Sequence, residues 1–408
     1  MSYAIQVEGL VKRFGATTAL AGVDLTAHDN LLMIGRLLGL RARDARARTV
    51  ELLDRFGLTS RRVSHSRRST TMTVNPLIMQ AIIQHGYGKP ERVLRPGEAE
   101  VPTIGAGDVL VRVRATSVNA PDWATVAGAP YILRLGVGLR RPKRPVRGSD
   151  IAGVVEAAGR QVTDLAPGDE VLGSLWGSAI GERAGAFAQY TVAPAFQLVK
   201  KPAGLSFEEA AASVMTGLTA MIAMSEAGQV HPGTRVLING ASGGVGTMAV
   251  QIAKSLGAEV TGVCSTRNIE LVRSLGADHV IDYTKQDFTQ SQQRYDVILD
   301  NVLNHSPKAV ARLLAPDGVL IPNSIGNTGG LLAGLPRIAR AALMGKGGTN
   351  VKFVTVAVNR ENLTALVRLL ETDKVRVVIE QTYPFDKTAS AVAHVLEHHA
   401  SGKVVIVI

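Results

Sequence analysis

Hydrophobic and polar positions along the chain alternate with two rhythms, and the change between them divides it. From Met79 the pattern is one of short strands: "MQAIIQHGYG" and "DVLVRVRATSVN" are strand-like, and the second sets Val109, Val111 and Val113 against Leu110, Arg112 and Arg114. "DIAGVVEAAG" and "GDEVLG" continue this β rhythm to about Pro202. At Ser206 the period lengthens. "SFEEAAASVMTGLTAMIAM" reads as a helix, with Ser206 as its cap and Glu209 closing a capping box. Apolar strands then alternate with helices: "TRVLING", a glycine turn, "AEVTGVCS", "RNIELVRSLG", "HVIDY", "YDVILDN", "SPKAVARLL" and "GVLIPNS". That alternation predicts βαβ units around a parallel sheet. Beyond Gly348, "VKFVTVAV", a helix at 360–371, "VRVVIEQTYPF", a further helix and "KVVIVI" return to mixed structure. The expected fold class is α/β: a β-rich part interrupted by a doubly wound parallel sheet, preceded by a short extension.

That extension has its own texture. Residues 3–27 read as two short strands around a turn at Phe14-Gly15. Residues 44–56 predict an amphipathic helix, capped by Asp44, with Val50, Leu53 and Phe56 on one face and Gly57 as its stop. "SRRVSHSRRSTTMTVNP" is polar, basic and aperiodic, and reads as a linker.

Composition narrows the class. With 408 residues, 46% of them hydrophobic and 19% charged, the chain is ordinary for a globular enzyme. It has no run of about 18 consecutive apolar residues, so no transmembrane segment is expected. The lone Cys264 allows no internal disulfide and suits a reducing, cytoplasmic setting. The net charge of +11 is uneven: residues 1–72 hold twelve Lys or Arg against six Asp or Glu, and Arg134, Arg140, Arg141, Lys143, Arg144 and Arg147 form a second cluster with no acid before Asp150. No aromatic interleaving or nucleic-acid motif accompanies either cluster, so no nucleic-acid partner is expected.

The glycine turn carries the first chemistry. Gly240, Gly243, Gly244 and Gly246 separate an apolar strand from a helix, a setting in which backbone N–H groups face a phosphate. The strict G-x-G-x-x-G pattern is not met. A triphosphate site would need Gly-Lys followed by Ser or Thr. The pairs Gly88-Lys89, Gly345-Lys346 and Gly402-Lys403 all lack that residue, which leaves a dinucleotide. About 20 residues on, where an NAD site places a carboxylate, the chain reads Cys264-Ser265-Thr266-Arg267-Asn268. Two hydroxyls and a guanidinium there suit a 2′-phosphate, so NADPH is the expected cofactor. A polar helix cap is the other reading of the same residues.

"GASGGVGTMAVQIAKSLGAEVTGVCSTRN", "LGADHVIDY", "GAFAQYTVAP" and "HASGKVVIVI" occur in an order and spacing that resemble the medium-chain dehydrogenase/reductase superfamily, in its zinc-independent quinone oxidoreductase-like branch. The resemblance covers residues 79–408. It implies a GroES-like catalytic domain at 79–203 and 350–408, a Rossmann domain at 204–349, an active site between them, and a homodimer. Residues 1–60 form an extension and 61–78 a linker. Zinc enzymes of the superfamily hold their metal with Cys and His. Here "SVNAPDW" stands at the first ligand position and Gly148-Ser149-Asp150 replaces Gly-His-Glu, so no metal is expected. "HVLEH", His394 to His398, has the H-x-x-E-H form but no evident third ligand, and reads as an ordinary helix.

A reductase without zinc needs an acceptor that is already activated, a quinone or an α,β-unsaturated carbonyl, and donors for the developing oxyanion. Asn119 is the candidate donor; an Asn fixing the turn before Pro121 is the alternative. The resemblance implies Thr219 near the nicotinamide, Ser242, Gly243, Gly244, Val245 and Gly246 around the pyrophosphate, and Tyr283 on the adenosine side. Asn301, Asn323 and Ser324 follow apolar strands and are expected to bound the nicotinamide pocket. The loop from Tyr131 to Arg147 is read as a cover for the cleft, with Trp123 and Tyr131 offering stacking surface.

The head resembles a second family. "AIQVEGLVKRFGATTALAGVDLTA" is similar to the opening of drug-efflux ABC-transporter ATPase subunits, and "DNLLMIGRLLGL" with "ELLDRFGL" to a later part of them. The P-loop expected between Ala27 and His28 is missing, as are the signature and Walker B regions, so no ATPase activity is expected. Met72 or Met79 would be a natural start for the reductase. Two other functions stay open: a cofactor-binding protein with little turnover, and a transporter-associated protein acting through the head.

Overall fold

The structure is a computed structural model that describes residues 13–14, 17–18, 43, 77–131, 134–176, 185–324, 335–372, 374–397 and 400–408. The chain divides into two compact units, Met1–Val74 and Asn75–Ile408. In the first, β1 (Arg13–Phe14) pairs antiparallel with β2 (Thr17–Thr18), on either side of the expected turn. The predicted helix at 44–56, most of the ATPase-like segment and nearly all of the linker lie outside the described residues.

The second unit begins with an antiparallel pair, β3 (Ile78–Gln84) and β4 (Leu94–Glu100). The β rhythm then produces β5 (Asp108–Ser117), β6 (Asp150–Ala158), β7 (Glu170–Ser174), β8 (Tyr190–Pro194) and β9 (Leu198–Lys200). On β5, Val109, Val111 and Val113 are buried as the alternation requires.

The change of period at Ser206 is real. Helix Phe207–Ile222 starts there: Glu209 N–H donates to Ser206 Oγ at 3.1 Å, and Ser206 N–H donates to the Glu209 carboxylate at 2.9 Å. Extended through a π-turn to Ala227, this helix is long and apolar enough to cross a membrane. With 83% of its most apolar stretch buried inside the fold, it behaves as a core helix.

Five parallel strands follow: β10 (Arg235–Asn239), β11 (Glu259–Cys264), β12 (His279–Asp282), β13 (Tyr295–Asp300) and β14 (Leu314–Pro322). Their order in the sheet is β12-β11-β10-β13-β14. Val236, Leu237 and Ile238 are wholly buried, the run expected of a strand covered on both faces. The chain builds outward from β10 to β12, then returns to add β13 on the other flank. The crevice for a ligand therefore opens at the carboxyl ends of β10 and β13.

The last strands rejoin the first sheet. β15 (Ile379–Pro384) pairs with β16 (Lys403–Val407), which runs antiparallel to β5, giving the order β15-β16-β5-β6-β7-β9 with β8 also on β5. The helix expected at 360–371 is found at Arg360–Glu371. "VKFVTVAV" differs from its strand-like pattern. Val351 bridges Leu320 on β14, where Lys352 N–H donates to the Leu320 carbonyl at 3.0 Å, and residues 353–358 belong to no strand, so apolar alternation alone does not make a ladder.

Candidate functional site

The glycine turn is held at the end of β10. A Cβ on Gly246 would lie 2.1 Å from the Gly240 carbonyl oxygen, so helix Gly244–Ser255 packs against the strand end only because that residue has no side chain. Gly243 caps the helix with no side chain of its own, leaving the first-turn N–H groups directed out of the helix end. Unpaired N–H groups at a helix N-terminus are the kind of donor set that can face a dinucleotide pyrophosphate. Ser242 contributes to the turn's shape: its Oγ accepts from Asn268 Nδ2 at 3.0 Å, and its carbonyl accepts from Gly402 N–H at 2.8 Å. Val245 is half-buried in the first turn.

On one side of the turn, β11 and β12 bring Ser265, Thr266, Arg267 and Tyr283 together, because Cys264 and Asp282 are in register. Arg267 is exposed, and Tyr283 is 54% exposed, leaving its ring open to a flat partner. The structure corrects the inventory of free groups here. Thr266 donates its hydroxyl proton to the Asp282 carboxylate at 2.6 Å, so that proton is spent. Asp282 also accepts from Thr284 N–H and Oγ1 and pairs with Lys285 at 3.6 Å. The Thr266 hydrogen bond leads in holding its carboxyl down to about 2. Asp282 is thus a fixed anion that the sequence window at 264–268 did not contain, and Lys285 balances its charge. Arg267 stands exposed at the same strand ends. Cys264 is buried, and that burial pushes its thiol up to about 11.

On the other side lie Asn301, Asn323 and Ser324. Asn323 donates to Asn301 Oδ1 at 2.7 Å, while Asn301 Nδ2 is buried with no partner among the described residues. An orphaned amide donor at the crevice suits the carboxamide or ribose of a nicotinamide nucleotide. Ser324 ends the described part of that loop. Thr219, on helix Phe207–Ile222, is buried and donates to the Met215 carbonyl at 2.6 Å.

Asn119 lies in a buried polar network that sequence reasoning did not assemble. It precedes helix Ala120–Ala127, where its N–H donates to the Asp122 carboxylate at 2.8 Å. Its Nδ2 donates to Asp150 Oδ2 at 2.7 Å and to Ser149 Oγ at 3.3 Å. Its Oδ1 accepts from Lys403 Nζ at 2.7 Å, and Lys403 also donates to the Val118 carbonyl at 2.8 Å. Both amide hydrogens and the carbonyl of Asn119 are therefore engaged within the protein, which makes it the joint between Asp150 and Lys403.

Among the described residues Asp150 Oδ1 is buried with no close hydrogen-bond donor, while Ser117 donates to Oδ2 at 2.7 Å and Ser174 lies near enough to help lower the Asp150 pKa. Burial raises the Asp150 pKa, pushes Asp122 up to about 7, and lowers that of Lys403. The stem of Lys403 passes so close to the turn that a Cβ on Gly244 would meet its Cδ at 2.8 Å. One lysine thus touches both the cofactor cradle and the catalytic-side network. The signal in the sequence is "SGKVVIVI", a stretch that also carries the family resemblance.

The two aromatic residues part company. Trp123 is 9% exposed and packs in a core with Met79, Ile82, Leu94 and Val392, whereas Tyr131 is 48% exposed and stacks under Arg134. His394 bonds Tyr383 Oη at 2.9 Å and faces Glu380 at 3.2 Å; His398 lies outside the described residues. Among the described residues no group of three or more His, Cys, Asp or Glu is arranged to hold a metal ion.

Comparison with known proteins agrees with this geometry. The alcohol dehydrogenase GroES-like domain profile matches residues 105–203, and the zinc-binding dehydrogenase profile matches residues 275–406. A chloroplastic quinone oxidoreductase of Triphysaria versicolor is 33% identical over 347 residues, covering 81% of this chain and 98% of its own length. The 2-methylene-furan-3-one reductase of Solanum lycopersicum is 32% identical, covering 85% and 83%. The solved quinone oxidoreductase of Coxiella burnetii superimposes with a TM-score of 0.70 at 26% identity, covering 81% of this chain and all of that one. The chain belongs to the zinc-independent, quinone oxidoreductase-like branch of the medium-chain dehydrogenase/reductase superfamily, and is an oxidoreductase that works with a nicotinamide dinucleotide.

Proposed function

We propose that the protein reduces a quinone or an α,β-unsaturated carbonyl with NADPH, without zinc. The observation that carries this reading is the set of groups at the carboxyl ends of the parallel strands. A glycine cradle stands there, with the orphaned Asn301 amide on one flank and exposed Arg267 on the other, beside an acid already balanced by Lys285. When bound, the nicotinamide supplies the hydride.

The chain's own residues then bind and orient. The first turn of helix Gly244–Ser255, with Ser242, holds the pyrophosphate, and Ser265 and Arg267 hold the 2′-phosphate by charge-assisted bonds. Tyr283 covers the adenine, and Asn301, Asn323, Ser324 and Thr219 bound the nicotinamide. Asn119 acts by positioning: it bonds both Asp150 and Lys403 and so keeps them in fixed places. The working division is 79–203 and 350–408 for the catalytic part and 204–349 for the cofactor part, with 1–60 dispensable for turnover. The buried Cys264 is in keeping with a reducing, cytoplasmic compartment.

The test is the loss of NADPH absorbance with a panel of quinones and enones, for the full chain and for one starting at Met72. Turnover by both, faster with NADPH than with NADH, is expected. Tight NADPH binding without turnover on any acceptor would overturn the reductase reading.

A further inference from the structure

Between the helix Ala120–Ala127 and strand β6 the chain makes an excursion, described at Tyr131 and at residues 134–145, "RLGVGLRRPKRP", which supplies none of the cofactor-binding groups named above. It is anchored from beneath. The Arg134 guanidinium lies 4.6 Å from the Tyr87 ring centre and 4.4 Å from that of Tyr131, and its Nε donates to the Gly128 carbonyl at 2.9 Å. Tyr87 Oη donates to the Gly138 carbonyl at 2.5 Å, and Lys143 N–H donates to Val137 O at 2.8 Å. Val137 is buried, and a Cβ on Gly138 would fall 2.1 Å from the Arg141 carbonyl oxygen.

A segment held this firmly still turns large apolar side chains to water. Leu135 is 67% exposed, Leu139 68% and Tyr131 48%. Arg140, Arg141 and Lys143 are exposed among them, and from Arg134 to Ser149 the chain carries no acid. Exposed leucines have no use for a purely ionic partner, and solvated arginines gain nothing from a neutral apolar one. A surface that is anionic at its face and apolar just below satisfies both.

We propose that this excursion docks the protein onto an anionic lipid bilayer, with Leu135 and Leu139 entering the headgroup boundary and Arg140, Arg141 and Lys143 meeting lipid phosphates. The segment runs on into Ser149 and Asp150, so docking brings the buried network within a few residues of the bilayer surface. The proposal does not depend on which acceptor is reduced.

Vesicle flotation of the full chain tests it, with phosphatidylcholine alone and with about a third phosphatidylglycerol added. Two variants are compared, Leu135→Ser/Leu139→Ser and Arg140→Glu/Arg141→Glu/Lys143→Glu, each checked for folding by its thermal melt. The wild type is expected to float with the anionic vesicles only, and less so in high salt. A basic residue near such a surface is worth roughly fivefold in partition and an inserted leucine roughly tenfold, so each variant should lose at least tenfold. Flotation unchanged in both variants would place the contact elsewhere, including the basic first unit, and overturn the proposal. Loss in the charge variant alone, with equal retention on immobilised heparin, would mark a polyanion site and overturn it too. Loss in the leucine variant alone, or equal flotation with neutral vesicles, would likewise overturn it.

Discussion

Replacing Lys403 with Met removes the cation that is hydrogen-bonded into the buried network, leaving Arg147 as the other positive charge near Asp122, while keeping most of the lysine stem. Met fills nearly the same volume past Gly244, so what is lost is charge and hydrogen bonds rather than packing. Two acceptors, Val118 O and Asn119 Oδ1, lose their donor. Each buried acceptor left unpaired costs about 1–3 kcal/mol. Asp150 and Asp122, both buried, lose the positive charge that offsets theirs. Lys403 reaches Asp150 through Asn119 and not in a contact ion pair, so the lost charge compensation overlaps the cost of the two unpaired acceptors rather than adding to it.

The expected loss at pH 8 is therefore the cost of those two unpaired acceptors, read from urea unfolding at unchanged slope. At pH 5.5 it should shrink, because Asp122, which titrates near 7, is then protonated and the excess negative charge falls. Adding Asp150→Asn to Lys403→Met should recover part of the loss, a coupling a double-mutant cycle measures directly. A Lys403→Met protein within about 1 kcal/mol of wild type at both pH values, or one to which Asp150→Asn restores nothing, would refute the view of Lys403 as the counter-ion of this network.

Asp122 titrates near 7 in the folded state and near the ordinary carboxylate value when unfolded, so the fold binds its proton more tightly. That group's contribution to stability is complete below about pH 4 and is lost as pH rises through 7, at up to about 1.4 kcal/mol per pH unit; Asp122→Asn should flatten the stability curve over that window, and parallel curves would exclude the assignment. Gly246→Ala should abolish tight NADPH binding in a fluorescence titration, since the new methyl meets the Gly240 carbonyl at 2.1 Å; near-normal affinity would show that the turn can open at little cost. Arg267→Ala should weaken NADPH by about tenfold or more and leave NADH within about twofold. Equal effects on both would reject a 2′-phosphate role.

What the sequence made legible was local. Ser206 and Glu209 sit three residues apart, and they form the box their spacing implies. The apolar strands, the glycine turn and the order of βαβ units each follow from stretches of 5–12 residues. The residues that were missed come from far apart. Asn119, Asp150 and Lys403 lie on three segments, with 284 positions between the first and the last. A lysine ending "SGK" reads as solvated, because lysine is almost never fully buried without partners, and its partners are invisible along the chain. Asp282 was missed for the same reason: it reaches Thr266 from the neighbouring strand, 16 residues on. "VKFVTVAV" shows the converse, since a strand-like pattern fixes the rhythm of the side chains but not the presence of a neighbour to pair with.

The C-terminal strand explains why these distant groups must meet. Gly402 pairs with the glycine turn through Ser242 O, and the next residue, Lys403, bonds Asn119 at the start of the catalytic-side helix. Ser401 completes the contact by donating to Asn268 Oδ1 at 2.8 Å, and Asn268 in turn donates to Ser242. Three consecutive residues thus tie the shape of the phosphate cradle to the position of Asp150. A ligand that stabilises the cradle stabilises the network through the same residues, by about 2.7 kcal/mol at a hundredfold excess over its dissociation constant. The Lys403→Met protein should keep part of that gain, because the Gly402 and Ser401 contacts remain. A variant that cut all three would lose the network's register and the cradle together, so the C-terminal strand is better regarded as part of the candidate site than as one more inner strand of the sheet.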